Sequence, residues 1–223
     1  YLGNTALAAE FLDYIDQRAG LLVGRGGSDA NSAGTGGHPQ IYSFPHRTFQ
    51  EYLAGCQMVQ GRSRVREYWE RTRERDFWYL AAQLGAEELL YNRGNDAEML
   101  LDLAYDLCLA TLPTQEQEWR ALLWSGHMAT LLGTATIQRD TVKPDSGPAY
   151  LARLMPGLLG IMRQSSLSAL ERSDAGRILA HLGDPRLEVL DSLRMEFCEI
   201  PAGPFLMGRA DAAARDDAQP QHT

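Results

Sequence analysis

The apolar positions of this chain recur mostly at three- and four-residue intervals. Residues 5 to 19, "TALAAEFLDYIDQRA", put Leu7, Phe11, Leu12 and Ile15 on one helical stripe, with Gly20 as a stop. The period changes twice after that: "LLV" (21–23) and "IYSF" (41–44) read as short strands. Between them "GRGGSDANSAGTGGHPQ" has no apolar side chain larger than alanine or proline and reads as a flexible loop. From Thr48 to Gln60 the helical period returns and puts Phe49, Tyr52, Leu53, Cys56 and Val59 on one face. It then continues almost unbroken to about His181. The expected inward positions are Phe77, Leu80, Ala81 and Leu84, then Leu100, Leu103 and Leu107, then Trp119, Leu122 and Leu123, and last Ala175, Ile178, Leu179 and Leu182. Pro144, Gly147 and Pro148 mark a loop, Pro156 a break, and Gly183 a C-terminal helix stop. "MEFCEIPAGPFLMG" has no helical stripe and reads as strand, turn and strand, followed by a polar run to Thr223.

This pattern predicts a mainly α chain in three parts. Residues 1–60 would end a winged-helix unit with a small β wing, a long hairpin being the alternative. Residues 61–189 would form a helical domain, bundle or solenoid-like and without a strict repeat. Residues 190–223 would open a truncated β-containing segment.

Composition narrows the function classes. A formal charge of −8 over 223 residues argues against a nucleic-acid binder that works by bulk charge, and the near-uncharged loop at 24–40 argues against a DNA-binding wing. "RSRVREYWERTRERD" carries six Arg against four acids, and Arg66 with Glu70 and Glu67 with Arg71 stand four apart. That spacing predicts an ion-paired, solvated helix face, with a nucleic-acid or partner patch as the alternative. No run approaches the twenty apolar residues of a membrane span. The opening, "YLGNTALAAEF", has no initiator Met, basic leader or signal pattern, and the chain reads as an internal fragment. Cys56, Cys108 and Cys198 are too few and too far apart for a disulfide framework or a metal site; they fit free thiols in a reducing cytoplasm.

Candidate chemistry is sparse. "GRGG" lacks the GK[ST] that would hold a phosphate and a magnesium ion, and no GxSxG or HExxH occurs. His38, His127, His181 and His222 are isolated and read as surface or satisfied core residues. His46 is different, because it sits where the strand-like run meets the helical one.

The stretch around His46, "FPHRTFQEYLAG", resembles the signature that ends the winged-helix part of NACHT-type STAND nucleotide switches. Phe44, His46, Thr48, Phe49, Gln50, Glu51, Tyr52, Leu53 and Ala54 fit that pattern in order. Gly55 stands where the family has Ala, a change expected to cost the helix up to about 1 kcal/mol. The resemblance implies that His46 reaches the β-phosphate of ADP held by an upstream NTPase core and locks a closed state, with Thr48 capping the helix start. It implies ATP or ADP as cofactor, the upstream core as partner, self-association on activation, an unidentified protein or ligand trigger, and a cytoplasmic signalling or defence role.

The tail carries a second resemblance. "FCEIPAGPFLMGRADAAARDDAQPQH" is similar to the opening of formylglycine-generating-enzyme (sulfatase-modifying factor) type domains. The match lies at Phe197, Ile200, Pro201, Ala202, Gly203, Phe205, Met207, Gly208, Asp217, Pro220 and His222, with Ala218 in place of the usual Glu. "ERSDAGRILAHLGDPR" resembles the helical linker that precedes such domains. The family's catalytic cysteines lie downstream of this opening, so the resemblance assigns no catalytic residue here. Two roles follow: a STAND switch coupled to a formylglycine-generating-type sensor domain, or, as the alternative, an accessory region of such an oxidoreductase.

Overall fold

A computed structural model describes residues 5–15, 22–25, 41–92, 97–142, 146–163 and 166–207. It is mainly helical, as the periodicity predicts. The elements are α1 (Thr5–Tyr14), β1 (Val23–Arg25), β2 (Ile41–Ser43), α2 (Arg47–Met58), α3 (Arg64–Arg71), α4 (Tyr79–Glu87), α5 (Ala97–Leu107), α6 (Glu116–Leu132), α7 (Thr134–Arg139), α8 (Gly147–Arg163), α9 (Ala169–Leu182) and α10 (Leu187–Leu190). By its contacts the chain divides into two units, residues 1–185 and 186–223.

In the first unit β1 and β2 pair antiparallel, Val23 opposite Ser43 and Arg25 opposite Ile41. The first strand therefore lies two residues beyond the predicted "LLV". The wing expected between the strands lies outside the described residues.

The core is built on α6. Its Trp119, Leu122, Leu123, Trp124 and Met128 are buried, and α5, α8 and α9 pack around it with Leu100, Leu103, Leu107, Leu154, Leu158, Ile178 and Leu179. Burying these side chains supplies the main drive to fold, at about 1.5–3 kcal/mol for each large aliphatic one. Two capping boxes start helices of this core. Gln115 and Glu118 cap α6, and Ser168 and Glu171 cap α9. Gly183 ends α9 at a φ of 100°, in the left-handed region that favours glycine.

Several expectations need correction. Pro156 does not break α8, which runs through it. Its ring is on the exposed face, as is Ala152 one turn back, so the carbonyl that loses its N–H partner can turn to water. Pro148 is not in a loop but in the first turn of α8, where the missing N–H costs nothing. Phe77 and Leu80 are exposed rather than inward.

The α2 helix is the largest departure. Most of its predicted apolar face is left outside: Phe49, Tyr52 and Leu53 are exposed and Cys56 is half-buried, whereas Val59 is buried as expected, together with Gly55 and Met58 from outside that face. The face it packs on α4 is the small-residue face. A Cβ at Gly55 would run into the Ala81 carbonyl oxygen and stand 2.7 Å from Gly85 N. Gly85 answers from α4, where a Cβ would stand 2.8 Å from Gly55 O and 2.6 Å from the Tyr68 hydroxyl. Two helix backbones meet here, and only glycine on both sides allows it. Gly55 therefore sets the helix crossing, whatever it costs in propensity.

The Arg-rich stretch forms α3 and the turn after it. Arg66 pairs with Glu70 at 3.2 Å and Arg71 with Glu67 at 3.3 Å, and Arg71 also lies over the Trp78 ring at 4.6 Å. In the second unit α10 and a short 3-10 turn, Ser192–Arg194, lead into residues 195–206, which run without helix or strand. The strand, turn and strand expected there are not formed in these described residues. Cys56, Cys108 and Cys198 form no disulfide with one another.

Candidate functional site

The site begins at the end of β2. Ser43 closes the strand, Phe44 and Pro45 lead out of it into a bend, and His46 takes an extended conformation (φ −124°, ψ 130°) as the N-cap of α2. Proline at 45 biases Phe44 toward extended backbone, so strand passes into helix within three residues. The first amides of α2, from Arg47 and Thr48, have no carbonyl one turn back, and the helix dipole leaves partial positive charge there.

The His46 side chain makes no capping hydrogen bond and is exposed. Its ring stands 6.0 Å from that of Phe49, tilted by 50°. Thr48 does not cap the helix as predicted. It lies inside the first turn, because the cap position falls on His46. Arg47 is tied to Glu51 one turn on, at 2.7 Å.

His46 and Thr48 come together in one concavity of about 440 Å3, bounded by Phe49, Tyr52 and Leu84. Its far wall is fixed from α4. Tyr52 Oη donates to a Glu88 carboxylate oxygen at 2.8 Å, and the Asn92 amide donates to the same oxygen at 2.7 Å. The hydrogen bond to Glu88, with Cys56 alongside, pushes the Tyr52 phenol up to about 12. Tyr52 is therefore a neutral donor at any ordinary pH. Glu88 lies in a single π-helical turn, Glu88–Asn92, that extends α4. The concavity thus offers an imidazole and a hydroxyl, from His46 and Thr48 at the start of α2, beside an aromatic and aliphatic wall.

Two polar clusters elsewhere have no signal in the sequence. The first joins α4, α6 and α9. Tyr79 Oη lies 2.5 Å from His127 Nε2 and 3.1 Å from Asp174 Oδ2, and Gln83 Nε2 lies 3.3 Å from His127 Nδ1. With Gln83 donating to Nδ1, the neutral ring carries its proton on Nε2. It donates that proton to Tyr79, whose own proton goes to Asp174. Burial lowers the His127 imidazole to about 4, and Asp174 offsets this only in part. Burial and Asp174 likewise raise the Tyr79 phenol. His127 is thus not isolated. Its partners Tyr79 and Gln83 stand 48 and 44 positions away, and only the packing of the helices brings them together. His181, on the same cleft, donates from Nδ1 to the Arg177 carbonyl at 2.8 Å. His38 and His222 lie outside the described residues.

The second cluster centres on Arg120, 2% exposed in the core. Its guanidinium donates to Glu171 at 2.6 Å, to the Thr72 carbonyl at 2.6 Å and to Glu116 at 2.7 Å. Burial works against its charge, and the hydrogen bonds to Glu171 and Glu116 outweigh that, so its pKa is raised. Glu171 is held below its usual range in the same way, against its own burial. Its second oxygen accepts from Ser168 N at 2.8 Å. One carboxylate thus caps α9 and pairs with α6.

Comparison with protein-family models, with curated proteins and with solved structures finds no match to this chain.

Proposed function

We propose that this chain is the regulatory helical portion of a STAND (NACHT-type) nucleotide switch, in which His46 senses the phosphate of ADP. On this reading residues 1–60 end a winged-helix unit and the following helices form the bundle-like domain that couples the switch to a C-terminal formylglycine-generating-type sensor. The single observation that carries it is the state of His46. It ends the nine-position motif's extended segment, stands at the N-cap of α2 and leaves its imidazole exposed with no capping bond. A histidine kept only for packing would be buried or paired. Here it stands beside helix amides that favour an anion.

The described residues offer one contact and no cradle, and on this reading an upstream NTPase core holds the nucleotide. His46 donates to a phosphate oxygen in the closed, ADP-bound state only. A ligand biases a two-state switch by the interactions it makes in one state and not the other. A hydrogen bond to a charged acceptor contributes about 1.5–3 kcal/mol. In the full-length protein His46→Ala is expected to speed ADP release by about ten- to a hundredfold, with less effect on ATP, since about 1.4 kcal/mol is tenfold. Stopped-flow release of a fluorescent ADP checks it. An unchanged off-rate with a lowered melting temperature would make His46 a packing residue. The chain by itself is expected not to bind ATP at micromolar concentration, which titration calorimetry tests.

A second reading rests on the tail. Phe197, Ile200 and Phe205, three of the positions shared with formylglycine-generating-enzyme openings, are exposed. They suit a segment that a larger β domain covers, and the helices would then be the accessory region of such an oxidoreductase. Conversion of a peptide cysteine to formylglycine by the full-length protein would favour this reading over the switch.

A further inference from the structure

We draw no further inference here: the strongest candidate, the cleft between α4, α6 and α9 lined by Tyr79, Gln83, His127, Asp174, Arg177 and His181, carries nothing because its side chains hydrogen-bond to one another or to backbone across the three helices and the geometry selects no class of ligand.

Discussion

Gly55 and His127 show how far a residue's role departs from its type. In an exposed helix, Gly→Ala is stabilising by about 1 kcal/mol. At Gly55 the added methyl meets the backbone of α4, which cannot yield as a side chain would. Gly55→Ala is therefore expected to destabilise, by about 1–3 kcal/mol as for other overpacked sites. The urea midpoint should fall; a rise would mean that α2 does not cross α4 here. His127 sets a pH dependence. Burial depresses its folded pKa to about 4 from the ordinary value of 6.5, so the neutral ring is the stable form in the fold. The stabilisation is fully present above pH 6.5 and is lost as the pH falls through 6.5 toward 4, because the unfolded chain takes up the proton first. The loss is about 3 kcal/mol at most. Chemical denaturation between pH 7 and 4 should show this slope in the native chain and a flatter one in His127→Gln. Equal slopes would mean that the imidazole is solvated. Neither role was legible in the sequence. The helical period places His127 on α6, but nothing local records that Tyr79 and Asp174 will face it.

Between elements, apolar packing is general and the Arg120 cluster is specific. Arg120 ties the end of α3, through the Thr72 carbonyl, to α6 and α9. Removing one partner leaves the other charge buried and unpaired, which costs about 3–5 kcal/mol, whereas replacing both by apolar groups of similar volume is often neutral. Arg120→Met alone should destabilise strongly. Arg120→Met combined with Glu171→Leu should recover part of the loss, less the α9 cap of about 1 kcal/mol that Glu171 also supports. A double-mutant cycle by denaturant unfolding checks this, and additive losses would show that the two residues act independently. Glu171 has a depressed folded pKa, so its contribution is present above the normal carboxylate range and lost as the pH falls below about 4.5. That window lies under the one set by His127, so the two can be separated in one titration. The helices themselves were legible. Leu100, Leu103 and Leu107, and Ala175, Ile178, Leu179 and Leu182, are buried where the 3.6-residue period puts them. The packed face of α2 and the start of α4 were not, because the period marks large apolar residues such as Phe49, Leu53 and Phe77 as inward and gives no weight to glycine.

For the whole molecule, stability should differ sharply between the α6-centred core and the segment after Pro185. Backbone amides from Phe197 to Leu206 belong to no described helix or strand, and most of their side chains are exposed. Hydrogen exchange there should be orders of magnitude faster than at Leu122 or Leu123, whose amides lie inside α6 and open only with the core. Protection at Ile200 equal to that at Leu122 would overturn this division. The sequence by itself determined the helical class, most of the helix positions, the C-terminal stop at Gly183 and the abrupt entry into α2 at His46. All of these rest on local chemistry: side-chain period, backbone freedom at glycine, and the restriction proline places on its neighbour. Only the tertiary structure decided that α2 meets α4 through two glycines, that its aromatic face stays outside, that Pro156 rides within a helix, and that Arg120 and His127 find their partners. These depend on which surfaces come within a few ångströms of one another after the chain has packed. That information is spread over residues tens of positions apart, and no window of sequence contains it.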